Sequence, residues 1–410
     1  MSPSGSAGVC SQHPLTRTLI QPHPAAHDFT PSAQPKTHRP PRLSHRNQLL
    51  RSQRRTPCTS ASSEARTPAS WPVSAPRQLA PQTDISVIVA DRYSNYSICG
   101  IPYHIAGDVP KWQDLAHRTR SELETAGLTL HLDTHATDID AAAHTVTVNA
   151  PEQSQRTVHY DRLVVATGAS PAVNGIAGLS GPEALGPEDG VHQVHSIDQM
   201  HELDTALAAR NPRNAVIIGA GYIGLEMAEA LTRRGLDVAL LQRSSEVLST
   251  FDPSLASLIH AELTHHRVHV QTSTTVRRIR RGKNGLILMA KSPTGPHEIR
   301  TDLVLAATGV HPNTRLLTSA GASLGPGAAI AVDHQMRTGL PDIYAAGDCV
   351  TTRHRLLGET WLPLGTTTRK QGRIAGENAV GGDATFAGIL GTQVVKVFDL
   401  VAARTGLREA

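Results

Sequence analysis

Cysteine is scarce, with four in 410 residues. Cys10 and Cys58 fall in the first 76 residues, which leaves Cys99 and Cys349. That is no disulfide framework, and the paired CxxC spacing of a zinc site is missing. The chain also lacks HExxH or a similar metal spacing despite 22 histidines. His265-His266 reads as a solvated helix end, so no metal is expected. No apolar run is long enough to cross a bilayer, so no membrane span is expected. With so few cysteines, the expected compartment is a reducing cytoplasm. Acids are nearly missing from residues 1–81, which hold ten Lys/Arg against two Asp/Glu. The formal net charge of +4 therefore comes from that stretch, and the rest of the chain stands at −4. This distribution excludes a basic nucleic-acid binder.

Residues 1–76 are rich in Pro, Ser, Arg, His and Gln and show neither helical nor strand periodicity. Such a segment buries too little apolar surface to offset its ordering entropy, so it is expected to be disordered or non-native. Its shortage of acids resembles a transit peptide, although proline is too frequent for an amphipathic helix. Composition changes abruptly at Arg77-Gln78-Leu79-Ala80, which reads as the tail of a helix.

From there strands and helices alternate, the pattern of doubly wound α/β architecture. Asp84–Asp91 reads as a buried strand ending in an acid. A helix is expected over Trp112–Ala126, and strands over Leu128–Asp133, His144–Val148 and Tyr160–Gly168. A second unit follows: helix Asp198–Ala209, strand Ala215–Ile218, helix Ile223–Arg234, strand Asp237–Leu241, then strand Asp302–Gly309. Ile343–Ala346 reads as a strand, Thr366–Asn378 as a helix and Gln393–Phe398 as a strand.

Gly219-Ala220-Gly221-Tyr222-Ile223-Gly224 lies between a strand and a helix. The first glycine permits a tight turn, the second admits a pyrophosphate against the backbone, and the third lets helix and strand approach. The helix N-terminus then faces the anion. An acid is expected about 20 residues on where NAD binds. That place reads Leu241-Gln242-Arg243-Ser244-Ser245. Arg243 is either a partner for the 2′-phosphate of NADPH or a solvated surface residue. Asp91 closes an earlier strand in the position of a ribose-binding acid, yet no GxGxxG precedes it, since Gly5 and Gly8 do not supply one.

Cys99 sits in Asn95-Tyr96-Ser97-Ile98-Cys99-Gly100-Ile101-Pro102-Tyr103. A reactive thiol must be partly exposed with a lowered pKa. The Gly-Ile-Pro that follows fits a helix start, which places N–H dipoles near the sulfur. Cys349 reads as small buried packing.

Over about residues 77–410 the chain resembles the pyridine nucleotide–disulfide oxidoreductases. The likeness is to the single-cysteine branch of coenzyme A disulfide reductase, NADH oxidase and NADH peroxidase. It rests on Cys99 to Tyr103, Tyr160 to Gly168, Gly219 to Glu226, Ala307 to Thr314, and Tyr344 to Cys349. No second cysteine lies near Cys99, which disfavours the dithiol branch. The resemblance implies two Rossmann-like dinucleotide-binding domains: a discontinuous FAD domain (77–190 and 311–388) and an inserted NAD(P) domain (191–310). Residues 389–410 would open an α+β dimerisation domain.

The resemblance implies FAD and NADPH or NADH as cofactors, with Cys99 catalytic. It implies cofactor contacts at Asp91, Thr167, Gly168, Gly219, Gly221, Gly224, Glu226, Arg243, Gly309, Gly347, Asp348, Thr366 and Thr367. Asp348 would hold the ribityl chain, the helix after Gly365 would face the flavin pyrimidine, and Glu226 would lie near the nicotinamide. Hydride would pass from nicotinamide through flavin to Cys99 and a small disulfide such as coenzyme A disulfide. An alternative is an oxidase or peroxidase that cycles Cys99 through sulfenic acid towards oxygen or peroxide. A second alternative is a truncated, inactive NAD(P)-binding remnant. A homodimer is the family's assembly, and the short C-terminus counts against it here.

The missing first fingerprint leads us to expect that residues before about Arg77 are out-of-frame or non-native translation. Translating the other frames of the upstream DNA should reveal a GxGxxG just ahead of Arg77; its absence would defeat that reading.

Overall fold

The computed structural model describes residues 17–22, 58–62, 80–151, 153–173 and 175–408. The expected helix tail at Arg77–Ala80 lies largely outside the described residues. Two strands come first, β1 (Arg17–Pro22) and β2 (Cys58–Ser62). Then β3 (Ile85–Val89), apolar at four of five positions, leads through Asp91 into a 3₁₀ turn (Ile98–Gly100) and α1 (Ile101–Ala106). Pro102 suits the first turn of α1, where a backbone N–H would have no acceptor. Gly107 ends the helix at φ 90°.

The single helix expected over Trp112–Ala126 is not formed. Trp112–Leu115 make one 3₁₀ turn, Ala116 runs extended in a bridge to Tyr96, and α2 (Arg120–Thr125) restarts beyond it. Local propensity loses to this bridge. Thr119 and Glu122 form a capping box that starts the helix afresh.

The chain continues through β4 (Leu128–His131), an antiparallel sheet of β5 (His135–Asp140), β6 (Thr145–Ala150) and β7 (Gln153–His159), then β8 (Arg162–Val165) and β9 (Ala169–Pro171). A second unit holds β10 (Val191–His192), α3 (Ile197–Arg210), β11 (Asn214–Ile218), α4 (Tyr222–Arg233), β12 (Asp237–Leu241), α5 (Pro253–His265) and β13 (His269–Gln271). A second antiparallel sheet follows, β14 (Thr275–Arg281), β15 (Leu286–Ser292) and β16 (Gly295–Thr301), with β17 (Leu303–Ala306) and β18 (Val310–Pro312) after it. The remainder is α6 (Arg315–Ser319), β19 (Ile343–Ala345), the hairpin β20 (Thr352–His354) and β21 (Gly358–Thr360), α7 (Gly365–Ala379), and the hairpin β22 (Gln393–Val397) and β23 (Leu400–Thr405).

Two five-stranded parallel sheets result, ordered β19-β8-β2-β3-β4 and β10-β17-β11-β12-β13. The inner strands β3, β8, β11, β12 and β17 read as nearly continuous apolar runs because both their faces are covered. In each, the earliest core strand, β2 or β11, sits centrally between its successor and the strand that returns later. That is the doubly wound order, which opens a crevice at the carboxyl ends of the central strands.

The place of β2 departs from the expectation of no regular structure before residue 77. Without it, β3 and β8 would bury unpaired N–H and C=O groups along facing edges. Backbone pairing is nearly indifferent to side chains, and Cys58–Ser62 contains no glycine or proline. It pairs in register with Ile85–Val89 on one side and Arg162–Val165 on the other. Similarly, β1 lies antiparallel on β23 at the edge of the C-terminal hairpin.

That hairpin docks on α4 and α5 through carboxylates. Glu229 accepts from Lys396 Nζ at 3.0 Å and from Phe398 N at 2.7 Å. Glu262 accepts from Asp399 N at 3.0 Å, while His266 stacks on Phe398 with ring centroids 4.0 Å apart. Hydrogen bonds to a largely buried charge each contribute about 1.5–3 kcal/mol. Glu229→Ala should therefore cost about 2–3 kcal/mol in chemical denaturation, with hydrogen exchange accelerated first in residues 393–405. Unchanged protection there would refute the docking role.

Candidate active site

The turn after β11 shows why its glycines are needed. Gly219 adopts φ 104°, and a Cβ there would lie 2.3 Å from the carbonyl oxygen of Ala307. A Cβ on Gly224 would lie 1.9 Å from the carbonyl oxygen of Gly219, so α4 can approach the strand only through hydrogen. Gly221, the N-cap of α4, has nothing within 4 Å of where its Cβ would stand. Open space at the head of a 12-residue helix is what an approaching pyrophosphate requires.

One strand over, Gln242 fills the position of a ribose-binding acid. Its Oε1 accepts from Ala220 N at 3.1 Å, tying the strand end to the glycine turn. Arg243 is exposed beside it, and Ser244 is half-buried.

The strand-end turns of the two sheets are joined to each other. β9 and β18 pair antiparallel, just beyond Thr167-Gly168 and Thr308-Gly309. Thr167 Oγ1 donates to the Asn313 carbonyl at 2.6 Å, and Asn313 Nδ2 returns a bond to the Thr167 carbonyl at 3.0 Å. Thr308 Oγ1 donates to the Ala172 carbonyl, and Ala172 N to the Gly309 carbonyl at 2.9 Å. Gly168 at φ 69° and Gly309 at φ 99° make the reversals possible. Asn313 is a clamp that sequence reasoning passed over, although it stands inside the Ala307–Thr314 run.

Asp348 follows Gly347 (φ 94°) and accepts from Thr368 Oγ1 at 2.9 Å. Gln371, buried on α7, accepts from Gly347 N at 3.1 Å and donates to the Thr351 carbonyl at 3.2 Å. Thr368 and Gln371 thus hold this turn, and neither was singled out from sequence. Thr366 is exposed at the head of α7 and Thr367 is buried next to it. Burial raises the Asp348 carboxyl above the usual range despite the bond from Thr368. Asp91, across the same sheet, accepts from Tyr93 N at 3.0 Å; burial first, then the charge of Asp198, push it up to about 6.

Cys99 stands in the 3₁₀ turn directly before α1. It presents surface to solvent, yet its sulfur sits within dense protein. The thiol is pushed up by that burial first, then by the charges of Glu226 and Asp348. This corrects the expectation of a lowered pKa, because α1 spans only six residues and two carboxyls oppose its weak dipole. Glu226, on the first turns of α4, is itself raised to about 7 by burial and by Glu229. Tyr103 feels both Glu226 and Cys99. The structure thus brings Cys99, Tyr103, Glu226 and Asp348 into one electrostatic neighbourhood. Cys349 is fully buried, with its Sγ on the Ala346 carbonyl at 3.4 Å, the packing role expected of it.

Residues 74–372 match the pyridine nucleotide-disulphide oxidoreductase family, and the chain belongs to it. It is 33% identical over 338 residues to the NAD(P)H sulfur oxidoreductase (CoA-dependent) of Pyrococcus furiosus, covering 81% of this chain and 72% of that one. The reduced CoADR-RHD of Bacillus anthracis superposes with TM-score 0.79 at 28% identity, covering 86% of this chain. The chain spans 62% of the length of that protein. An engineered water-forming NADPH oxidase bound to NADPH, derived from the Lactobacillus brevis enzyme, superposes with TM-score 0.78 at 26% identity, covering 86% of this chain and 76% of that one. Its substitutions change a consecutive Asp-Ala-Met run to Ala-Arg-Ser.

Removing the charge of Glu226 should lower the Cys99 pKa. Glu226→Gln is expected to speed alkylation of Cys99, followed on its own peptide, by about 3–10-fold at pH 8, since one pKa unit is a tenfold change in thiolate. At pH 6, where Glu226 is largely protonated in the parent chain, the difference should shrink towards none. Equal rates at pH 8 would show that the carboxyl does not act on the sulfur.

Proposed function

We propose that the chain is an NAD(P)H-dependent flavoprotein oxidoreductase that delivers an electron pair through Cys99 to a small disulfide such as coenzyme A disulfide. The carrying observation is that the Cys99 sulfur feels the charges of both Glu226 and Asp348, residues 122 positions apart in sequence. A residue of the nucleotide half and a residue of the other half thus both act electrostatically on one thiol.

The fit to FAD divides along its length. At the flavin end the residues suit the group. Asp348 and Asp91 offer carboxyl oxygens to hydroxyls, and at the head of α7 the N–H groups of Gly365 and Thr366 have no partner among the described residues, which favours developing negative charge there. At the pyrophosphate end they do not. The sequence holds no glycine between Gly8 and Gly100, so the first sheet has no counterpart of the turn at Gly219–Gly224. A bound flavin supplies a two-electron carrier between nicotinamide and sulfur.

The chain's own residues account for the sulfur chemistry. The Cys99 thiolate attacks a disulfide, forming a mixed disulfide and releasing one thiolate. Glu226, raised to about 7, still carries a proton near neutral pH, and we assign it as the source of the proton for the departing thiolate. Two electrons, supplied by NAD(P)H, and one further proton from solvent then cleave the mixed disulfide, restore the Cys99 thiolate and release the second thiol, and Glu226 is reprotonated from solvent.

The oxidase or peroxidase reading stays alongside. Cys349 is sealed in the core and offers Cys99 no resolving partner, which leaves a cycle through Cys99 sulfenic acid. The acceptor is a small molecule in either case. No helix of the described residues is long and apolar enough to cross a membrane. The run Gln242-Arg243-Ser244 ends in the same Arg-Ser pair that the engineered NADPH oxidase carries.

A purified sample should be yellow, and Cys99→Ser should lower disulfide turnover at least 100-fold, on the scale of losing a covalent nucleophile. Loss of oxygen or peroxide turnover instead would select the second reading. A colourless, inactive chain would leave only a nucleotide-binding remnant.

A further inference from the structure

We infer that Glu262, His266 and Asp399 form a binding site for one divalent transition-metal ion, with Zn²⁺ the best match, and that this ion clips the C-terminal hairpin to α5.

The three residues meet from two elements. Glu262 and His266 stand one turn apart at the end of α5, where His266 N donates to the Glu262 carbonyl at 3.1 Å. A spacing of four residues puts both side chains on one helix face. Asp399 comes from the turn between β22 and β23, and its N donates to Glu262 Oε1 at 3.0 Å. One ligating atom from each residue lies within 4.8 Å of the other two.

The ring nitrogen of His266 is what asks for a ligand. The solvated helix end suggested by the sequence is His265, which is exposed. His266 Nε2 is shut off from solvent and has no hydrogen-bond partner among the described residues. A buried polar atom left unpaired calls for an ion or a water. Two carboxylate oxygens stand close to it, Glu262 Oε1 at 3.3 Å and Asp399 Oδ2 at 3.6 Å, yet neither is placed to accept from the ring. Such separations suit ligands that share an ion. With zinc about 2.0–2.1 Å from nitrogen or oxygen, tetrahedral donors stand about 3.3–3.4 Å apart. The ring is held in place by its stack on Phe398, with the planes 4° apart. Two carboxylates offset the charge of the ion. Imidazole selects a transition metal over Mg²⁺ or Ca²⁺, which take oxygen ligands. The Asp399 side chain is 81% exposed, so the fourth position opens to water. An ion held from both sides stabilises only the docked hairpin.

The test uses the full chain stripped of metal and needs neither flavin nor turnover. Parent and variants are compared, so zinc held elsewhere on a chain with 22 histidines cancels. Competition with a chromogenic chelator should show one tight equivalent of Zn²⁺ in the parent. Asp399→Ala should weaken it at least about 100-fold, the upper end of what losing an outer-shell partner costs. Glu262→Gln, which keeps an acceptor for Asp399 N, should lose the same equivalent. Circular dichroism confirms that each variant is folded. Zn²⁺ should slow hydrogen exchange over residues 393–405 and raise the melting temperature of the parent, and do neither in Asp399→Ala. Equal Zn²⁺ stoichiometry and affinity in the parent and Asp399→Ala overturns the inference. Competition by Mg²⁺ at equal concentration also overturns it, since that is plain attraction to carboxylates.

Discussion

The site depends on one helix contact. α1 carries Cys99 at its head and packs against α4, which carries the glycine turn at its own head. Ile101 and Ile105 expose nothing, sharing an apolar cluster with Leu225, Met227 and Ala228. Burying each isoleucine contributes about 1.5–3 kcal/mol, and direction comes from the polar clamps around them. Arg233 grips Asp108 at 2.6 Å, and Arg234 Nε donates to the Ile105 carbonyl at 2.6 Å. Even the residue after the cysteine is constrained, since a Cβ on Gly100 would lie 2.5 Å from Leu115 Cδ2. A thiol and a nucleotide turn from different sheets are thereby locked into one arrangement.

A second join between the halves is built differently. Where α1 and α4 meet through apolar surface, the two Thr-Gly turns meet through backbone and hydroxyl hydrogen bonds in a short antiparallel ladder. Asn313 satisfies the hydroxyl and the carbonyl of Thr167, so neither is left buried and unpaired. The chain passes between the sheets at these two turns. Rigid polar pairing there and apolar packing at α1 leave little freedom for one half to tilt on the other.

Much of this was legible in the sequence because it is local. The spacing of Gly219, Gly221 and Gly224 is a statement about backbone approach. The strand Asp237–Leu241 appears with the bounds its apolar run suggests. What escaped the sequence depends on partners far along the chain. The Trp112–Ala126 stretch has helical propensity, but Tyr96 draws Ala116 into a bridge. Cys58–Ser62 has no apolar pattern and becomes a strand because two neighbours need a partner. Thr368 and Gln371 look like ordinary polar helix positions until the Gly347-Asp348 turn is laid against them. The direction of the Cys99 shift was misread for the same reason, since the opposing charges belong to residues 226 and 348.

That upward shift fits the chemistry better than it first suggests. Reducing a disulfide by two electrons consumes two protons, and a site that delivers electrons without protons expels thiolates into a region already holding carboxylates. A thiol raised above its ordinary range and a Glu226 carboxyl near 7 both retain protons around neutral pH. Their proximity makes each proton harder to lose while the other site is charged, so the pair titrates together. The negative surroundings that weaken Cys99 as a resting nucleophile also raise the basicity of any sulfur formed there, and with it the readiness to take the proton that Glu226 holds. Electron supply from the nucleotide side then arrives where protons are already stored, which is the balance a disulfide acceptor requires.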